Sequence, residues 1–517
     1  MLFRSATAFA VLLLLIVLNM RGVKESVLPI VPVFLLFLIS HVFLIAFVFG
    51  KHITEMPAVV HETARDLSSS IKDIGFLGVG LLILHAYSLG GSSYTGIEAV
   101  SNGLPILREP RVETGKRTMM YMAVSLAVIA GGLIVGFLLM TTQPVEGKTL
   151  NAVFFEQVAG GWPGGKWIVL VTLASEALIL LVAAQTGFLD GPRVLANMAL
   201  DGYMPSRFAL LSERLVTENG ILLMGGASLL LLWFSKGSVD FLLVLYSINV
   251  FLTFSLSQLG MVKHWWEVRA RDKRWKHSLL INGIGLVLTG FILVSVVFLK
   301  FHEGGWLTLV ITGTLVVIAF LIKRHYIHTR KMLTRLDELL KDAVTISEEE
   351  KEEPVTEDTT ILSANSTEKT AVILVNNFGG LGLHTLFNTL RVFRGHFKNF
   401  VFIQVGLVDA GQFKGIEEIA HLKASISKDL NRYVKLTKSR GFYSEALSSV
   451  GTEVVDEVEK LAVQVTEHFP NSVVFTGQLV FPKETIFTRL LHNYTAFAIQ
   501  KRLYYHGIPV VIMPIRV

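Results

Sequence analysis

Long apolar runs alternate with short polar segments over the first 325 residues of the chain. Most of the runs approach the ~20 residues that a helix needs to cross a bilayer. The run near 220–234 is the shortest and has the least distinct ends. The pattern predicts nine membrane helices, near residues 6–20, 27–49, 74–107, 118–140, 167–189, 220–234, 239–262, 278–299 and 305–322.

The pattern changes after these runs. A basic, partly amphipathic helix comes first, and an acidic segment with Pro, Ser and Thr follows it, which is typical of a linker. Short apolar runs then alternate with helical segments, and this alternation predicts a mostly parallel, doubly wound sheet. The predicted strands lie near Val372, Val401, Val474 and Val511.

These patterns divide the chain into three parts. We expect a transmembrane domain over residues 1–325, a connecting helix and linker over 326–369, and a cytoplasmic α/β domain over 370–517. About 150 residues are enough for the last part to build a core of its own. The predicted fold class is therefore a polytopic α-helical membrane protein with a C-terminal α/β domain.

Composition and charge agree with a multi-pass membrane protein. Of the 517 residues 52% are hydrophobic, and the mean hydropathy is +0.56, which is too apolar for a soluble protein of this length. The chain has no cysteine, which excludes disulfides and thiolate chemistry. Alternating the loops puts 21 Lys and Arg on one side and seven on the other. The positive-inside rule then predicts a cell-membrane protein whose C-terminal domain is cytoplasmic. In a membrane protein the net charge of +6 reflects this asymmetry of the loops and not affinity for nucleic acid, so we expect no nucleic-acid partner.

One apolar run is interrupted from Gly90 to Pro105. Four glycines, a proline, hydroxyl side chains and Glu98 occur there. Broken backbone at membrane depth is tolerated only where protein buries it or water reaches it, and such interrupted helices indicate a transporter's binding site. The alternative is a kinked helix that packs closely through small residues. Simple packing does not need the polar groups, which favours the binding site.

The residues from Tyr94 to Gly103, followed by Glu109-Pro110, resemble the sixth, discontinuous helix of the amino acid–polyamine–organocation (APC) superfamily. Within it the resemblance is closest to KUP-like potassium importers of the Kim type, and it covers nearly the whole chain. It implies a LeuT-like core of two inverted five-helix repeats and a C-terminal domain similar to universal stress proteins. The loop 19–26 resembles the join between the family's fourth and fifth helices. The nine helices would then correspond to helices four to twelve, and the first three would be absent from this sequence.

The resemblance implies ion-binding residues. It puts Thr95 and Tyr246 beside the bound cation, with Tyr94, Gly96 and Glu98 in the same broken stretch. Hydroxyl and carbonyl oxygens can replace a cation's hydration shell without adding charge. Two alternatives stay open: Tyr246 is a core tyrosine with one satisfied hydroxyl, and Thr95 makes a local hydrogen bond at a helix end.

Other ionisable residues lie in the predicted spans. Glu176, like Glu98, is an intramembrane carboxylate and therefore a candidate for ion coupling. His41 and His85 could relay protons near neutral pH. The alternatives are a permanently paired or protonated structural acid and histidines that only pack.

The sequence predicts a secondary transporter, with potassium uptake by proton symport as the expected activity. Amino acid transport is the rival within the superfamily, and a membrane-anchored regulatory subunit or non-functional fragment is the alternative from another class. No catalytic, cofactor or metal motif occurs, so we expect neither an enzyme nor a cofactor. The expected partners are the lipid bilayer, potassium and protons or an amino acid, a second copy of the chain, and a cyclic dinucleotide regulator, the last two implied by the Kim-type resemblance.

Overall fold

The first 349 residues are mainly helical. The computed structural model describes residues 2–22, 30–90, 96, 100–101, 103–104, 107–349, 365–410, 416–481, 488, 491 and 495–516. Aliphatic and aromatic residues follow one another on all sides of most of these helices, as expected where hydrocarbon surrounds them. The helices are α1 (Leu2–Met20), α2 (Ile30–His52), α3 (Met56–Gly90), α4 (Arg111–Leu139), α5 (Leu150–Ala159), α6 (Gly165–Leu200), α7 (Glu218–Phe234), α8 (Val239–Glu267), α9 (Trp275–Lys300) and α10 (Trp306–Glu349).

Five stretches of the described chain are long and apolar enough to cross a membrane. The first and the last of them each contain two helices, α2 with α3 and α9 with α10. The shorter helices α1 and α7 are also apolar. Each predicted run overlaps one apolar helix, although α3 begins at Met56 and most of the run after Gly90 lies outside the described residues. The predicted fold class is confirmed. The five stretches are Val31–Tyr87, Arg111–Leu139, Gly165–Leu200, Val239–Glu267 and Trp275–Leu336.

Two helices differ from the sequence pattern. The short helix α5 was not predicted, because its ten residues are too few to register as a span. Helix α10 runs unbroken for 44 residues, where the pattern suggested a spanning helix followed by a separate basic one. After Gly313 this helix contains neither glycine nor proline, so nothing in its sequence ends it where the apolar residues give way to charged ones.

The C-terminal α/β domain contains five parallel strands in the order β3-β2-β1-β4-β5. The chain reverses its direction of winding between β1 and β4, which makes their carboxyl ends the topological switch point of the sheet. The strands are β1 (Thr370–Val375), β2 (Asn399–Leu407), β3 (Tyr443–Gly451), β4 (Ser472–Val480) and β5 (Val510–Arg516). The helices are α11 (Gly380–Val392), α12 (Ile416–Lys438), α13 (Val454–His468) and α14 (Thr495–Tyr504).

Alternate residues of the central strands point to opposite faces and build two cores. Ile373 and Phe402 pack on one face with residues of α11 and α12. Val372 and Val401 pack on the other face with residues of α13 and α14. Both faces of the sheet are therefore covered, which explains why β1 and β2 read as continuous apolar runs in the sequence.

Contacts divide the chain into two compact units. One contains Met1–Asp190 and Met224–Leu315, and the other contains Gly191–Leu223 and Val316–Val517. Within the second unit the loop between α6 and α7 reaches the α/β domain. The Ala410 N–H donates a hydrogen bond to the Ala209 carbonyl oxygen at 2.9 Å, and Leu210 pairs with Asp409 as an antiparallel bridge. The loop that follows β2 is thereby joined to the loop that follows α6.

Candidate functional site

The interrupted stretch begins where α3 ends, at Gly90. Gly96 has a φ of +95°, a backbone conformation that glycine adopts readily and that costs other residues steric strain. A side chain added at Gly96 would lie 3.8 Å from Cε of Met122 on α4, so the turn approaches that helix closely. The predicted site residues Tyr94, Thr95 and Glu98 lie outside the described residues.

Tyr246 lies on α8, seven residues after the start of the helix. Its neighbours Leu245 and Ser247 are buried, whereas Tyr246 itself is 42% exposed. A core tyrosine would be covered, so Tyr246 lies outside the packed core of the described residues.

One aromatic contact joins the end of α3 to α8. The ring of Tyr87 lies 6.3 Å from that of Phe251. Tyr87 is three residues before the end of α3, and Phe251 is five residues after Tyr246. The helix that leads into the interrupted stretch therefore packs against the helix that carries Tyr246.

Glu176 is in a polar cluster made by three helices. The side-chain amide of Asn151 on α5 donates a hydrogen bond to Oε1 of Glu176 on α6. The Nε2 atom of His41 on α2 lies 3.6 Å from the same carboxylate oxygen. His41 is fully buried, and its Nδ1 lies 2.8 Å from the Phe37 carbonyl oxygen. The structure thus brings together Glu176 and His41, which the sequence marked separately.

Sequence reasoning missed the third member of this cluster, Asn151. It sits in the first turn of α5, which begins with Thr149 accepting a hydrogen bond from the Ala152 N–H. The signal was present, because Asn151 is a polar residue in a short apolar segment. His85, the other histidine in a predicted span, lies on α3.

The glycine turn between β1 and α11 is explained by packing. A side chain at Gly382 would come within 2.1 Å of the Tyr433 hydroxyl oxygen and 3.1 Å of Val375. The Tyr433 hydroxyl in turn donates a hydrogen bond to the Asn377 carbonyl oxygen at 2.9 Å. Gly382 therefore lets α11 sit close to β1 and α12. Over the described residues, no group of three or more His, Asp or Glu side chains is placed to hold a metal ion.

Comparison with known proteins identifies the family. Residues 2–322, more than half of the chain, match the family described as amino acid permease. The chain therefore belongs to the amino acid permease family, which is a family of transporters and not of enzymes. This match confirms the resemblance to the APC superfamily and favours transport over a membrane-anchored scaffold.

A curated relative is similar over a longer stretch. Potassium transporter KimA of Bacillus subtilis (strain 168) is 32% identical over 343 residues, which are 66% of this chain and 54% of that protein. The chain thus spans about half the length of this relative. The similarity extends the resemblance from the superfamily to a potassium transporter of the Kim type.

Proposed function

We propose that this chain imports potassium by proton symport. The observation that carries the proposal is its 32% identity, over 66% of its length, to a protein named as a potassium transporter. Membership of a permease family supplies the class of activity, and the potassium specificity is our inference.

In this proposal the ion binds between the interrupted stretch and α8. Thr95 and Tyr246 supply hydroxyl oxygens, and Tyr94, Gly96 and Glu98 complete the site. The position of Tyr246 outside the packed core and the turn at Gly96 support it, because hydroxyl and carbonyl oxygens can replace water around a monovalent cation. Glu176 is proposed to couple ion movement to protons.

Amino acid transport is the second candidate, and the description of the family favours it. A related fold serves both kinds of substrate, so the choice depends on the site. A cation site needs oxygen ligands, whereas an amino acid site needs partners for both an amine and a carboxylate.

We further propose that the α/β domain is cytoplasmic and pairs two copies of the chain. The loop between α6 and α7 contains Arg207 and Arg214, and Lys and Arg in short loops favour the cytoplasmic side. The contact between Ala209 and Ala410 supports the same side for the domain, because it joins that loop to the loop after β2. Regulation by a cyclic dinucleotide stays a prediction from the Kim-type resemblance.

Rubidium uptake into proteoliposomes tests the proposal. Thr95→Val and Tyr246→Phe each remove one oxygen and nearly keep the side chain's shape. We expect each to weaken rubidium affinity roughly ten- to a hundredfold, which corresponds to about 1–3 kcal/mol for one lost ligand. The control is Tyr121→Phe, at a tyrosine on α4 that is 69% exposed, and it should leave uptake unchanged.

The same assay separates the two substrate classes. Unlabelled potassium should compete with rubidium, and a mixture of amino acids should not. Unchanged rubidium kinetics in both site variants would remove these residues from the site. Uptake of amino acids without rubidium would replace potassium by the second candidate.

A further inference from the structure

The cluster of His41, Glu176 and Asn151 holds an intramembrane group whose hydrogen bonding is incomplete. Among the described residues, Nε2 of His41 is buried without a hydrogen-bond partner. A buried polar atom without a hydrogen bond costs free energy, so binding of a group that supplies this hydrogen bond is favourable. From this geometry we propose that His41 and Glu176 together bind one exchangeable proton, and that this is the coupled proton of the transport cycle proposed above.

The hydrogen bonds of His41 assign the ring tautomer. A carbonyl oxygen only accepts, so the 2.8 Å contact with the Phe37 carbonyl requires a proton on Nδ1. In the neutral ring Nε2 then carries a lone pair. That lone pair faces the Glu176 carboxylate oxygen at 3.6 Å, and the carboxylate is also only an acceptor when ionised.

Two facing acceptors repel each other, and one added proton reverses the interaction. On Nε2 it makes an imidazolium beside a carboxylate, and on Glu176 it makes a carboxyl group that can donate to Nε2. Because the added proton can lie on either of the two facing atoms, we assign it to the pair and not to one residue. The Asn151 amide donates to the carboxylate and therefore holds Glu176 in place for this exchange.

The pair has a sealed end and an open end. His41 is fully buried, and its ring lies 4.1 Å from that of Phe37 and 5.0 Å from that of Phe155. The Glu176 side chain retains 23% of its exposure. In this proposal the proton enters through the partly exposed carboxylate, and the histidine holds it on the buried side.

Helix α5, which carries Asn151, is tightly packed against its neighbours. Phe154 and Phe155 on α5 are fully buried. A side chain added at Gly136 on α4 would come within 2.9 Å of the Phe154 ring. Since Asn151 lies on the same helix, a change in the charge of Glu176 is transmitted directly to α5.

Other ionisable groups also lie on the helices that surround the pair. Glu176 is the ion-pair partner of His41 in the described part of the chain. On α5, Glu156 pairs with Lys148 at 2.6 Å. The remaining ionisable side chains on α2, α4 and α6 are Lys51, His52, Arg111, Glu113, Lys116, Arg117, Tyr121, Lys166, Asp190 and Arg193.

Proton binding changes the net charge of the pair from minus one to zero. A net charge in a low-dielectric site is costly to bury, whereas a neutral pair is not. Glu176 can therefore be sealed off cheaply only after the proton has bound. This makes proton loading a condition for occlusion, which is one of the requirements for symport.

Proton uptake by the detergent-solubilised chain tests the pair without relying on transport. Potentiometric titration from mildly alkaline to mildly acidic pH gives the protons bound per chain, and infrared difference spectra identify the carboxyl group. We expect Glu176→Gln and His41→Gln each to lower uptake by about one proton per chain, because either change removes the coupled step. Glu156→Gln, the matched control on α5, should retain the buried carboxyl signal.

Proton uptake that is unchanged in both Glu176→Gln and His41→Gln would overturn the proposal. Correct folding of each variant is checked by monodisperse elution and an unchanged helical circular dichroism signal. Rubidium uptake by the same proteins then separates this inference from the proposed function. Rubidium uptake that stays proton-driven in both variants overturns the proton site and leaves potassium import standing. If the variants lose proton uptake while the unmodified chain takes up no rubidium, the result supports the proton site and excludes potassium as the substrate.

Discussion

The α/β domain and the membrane helices bury their apolar side chains in opposite ways. In the domain Phe402 and Phe475 are fully covered by neighbouring strands and helices. In the membrane helices Phe76 is 81% exposed and Phe298 is 78% exposed to the surroundings of the chain. The domain therefore has a core of its own, whereas the helices depend on hydrocarbon or on other helices to cover them.

Polar groups show the same contrast. Many Ser and Thr hydroxyls in the membrane helices donate to a carbonyl one turn earlier, as Thr172 does to Ile168. Polar contacts between helices are therefore informative where they occur. Asn19 and Gln185 exchange two hydrogen bonds of 2.9 Å and fix α1 to α6, and His41 with Glu176 joins α2 to α6. In a region with a weak core, such contacts determine register or function.

The largest expected difference is in independent folding. Residues 370–517 should fold without the membrane helices, because both faces of their sheet are covered from within. Residues 1–325 should remain dispersed only in detergent or lipid. Circular dichroism with a cooperative melt tests the domain, and light scattering tests its proposed pairing. If the isolated domain is unfolded, the prediction of an independent core is wrong. If it is folded but strictly monomeric, only the proposed pairing of two copies is wrong.

A matched pair of substitutions should show the next largest effect. Phe475→Ala empties a fully buried position and should cost about 3–5 kcal/mol of the free energy of unfolding, measured by urea denaturation of the domain. Phe298→Ala on α9 should change stability by less than about 0.5 kcal/mol, measured by thermal unfolding of the chain in detergent. Equal costs would show that protein, and not lipid, covers α9.

The sequence predicted the central strands of the domain and missed one at its edge. Buried parallel strands such as β1 and β2 read as unbroken apolar runs. Among the described residues strand β3 pairs with β2 alone, and its side chains are mostly half-buried or exposed. Its sequence contains Ser444, Glu445, Ser448 and Ser449, which resemble a loop more than a strand. Its assignment depends on tertiary pairing, which a local pattern does not contain.

The candidate site was predictable only in part for a similar reason. The turn at Gly96 follows from local backbone chemistry, and the glycine-rich stretch predicted it. The approach of His41 to Glu176 depends on how α2 and α6 pack, and their distant positions in the sequence carry no sign of it. Asn151 was missed because α5 is too short to stand out as a span. Packing decides which distant helices contact each other, and the spacing of apolar residues within each helix does not.

The smallest expected effect concerns one histidine in the α/β domain. Burial lowers the pKa of His384 on α11 below its ordinary 6.5. As the pH falls through 6.5, the unfolded chain takes up a proton that the folded domain does not. The free energy of unfolding should therefore be highest above pH 6.5 and fall from there towards the lowered folded pKa, with a slope below about 1.4 kcal/mol per pH unit for one group.

Replacement of this histidine sharpens the contrast with groups at the surface. His384→Leu should flatten the slope, because it removes the group that binds the extra proton in the unfolded state. Within the described residues Nε2 of His384 is buried without a hydrogen-bond partner, so the substitution leaves no new polar atom unpaired. The control His468→Gln, at an exposed histidine in the last turn of α13, should keep the slope. Urea denaturation of the domain at a series of pH values measures the slope of the free energy of unfolding against pH. An undiminished slope in His384→Leu would assign the pH dependence to other groups.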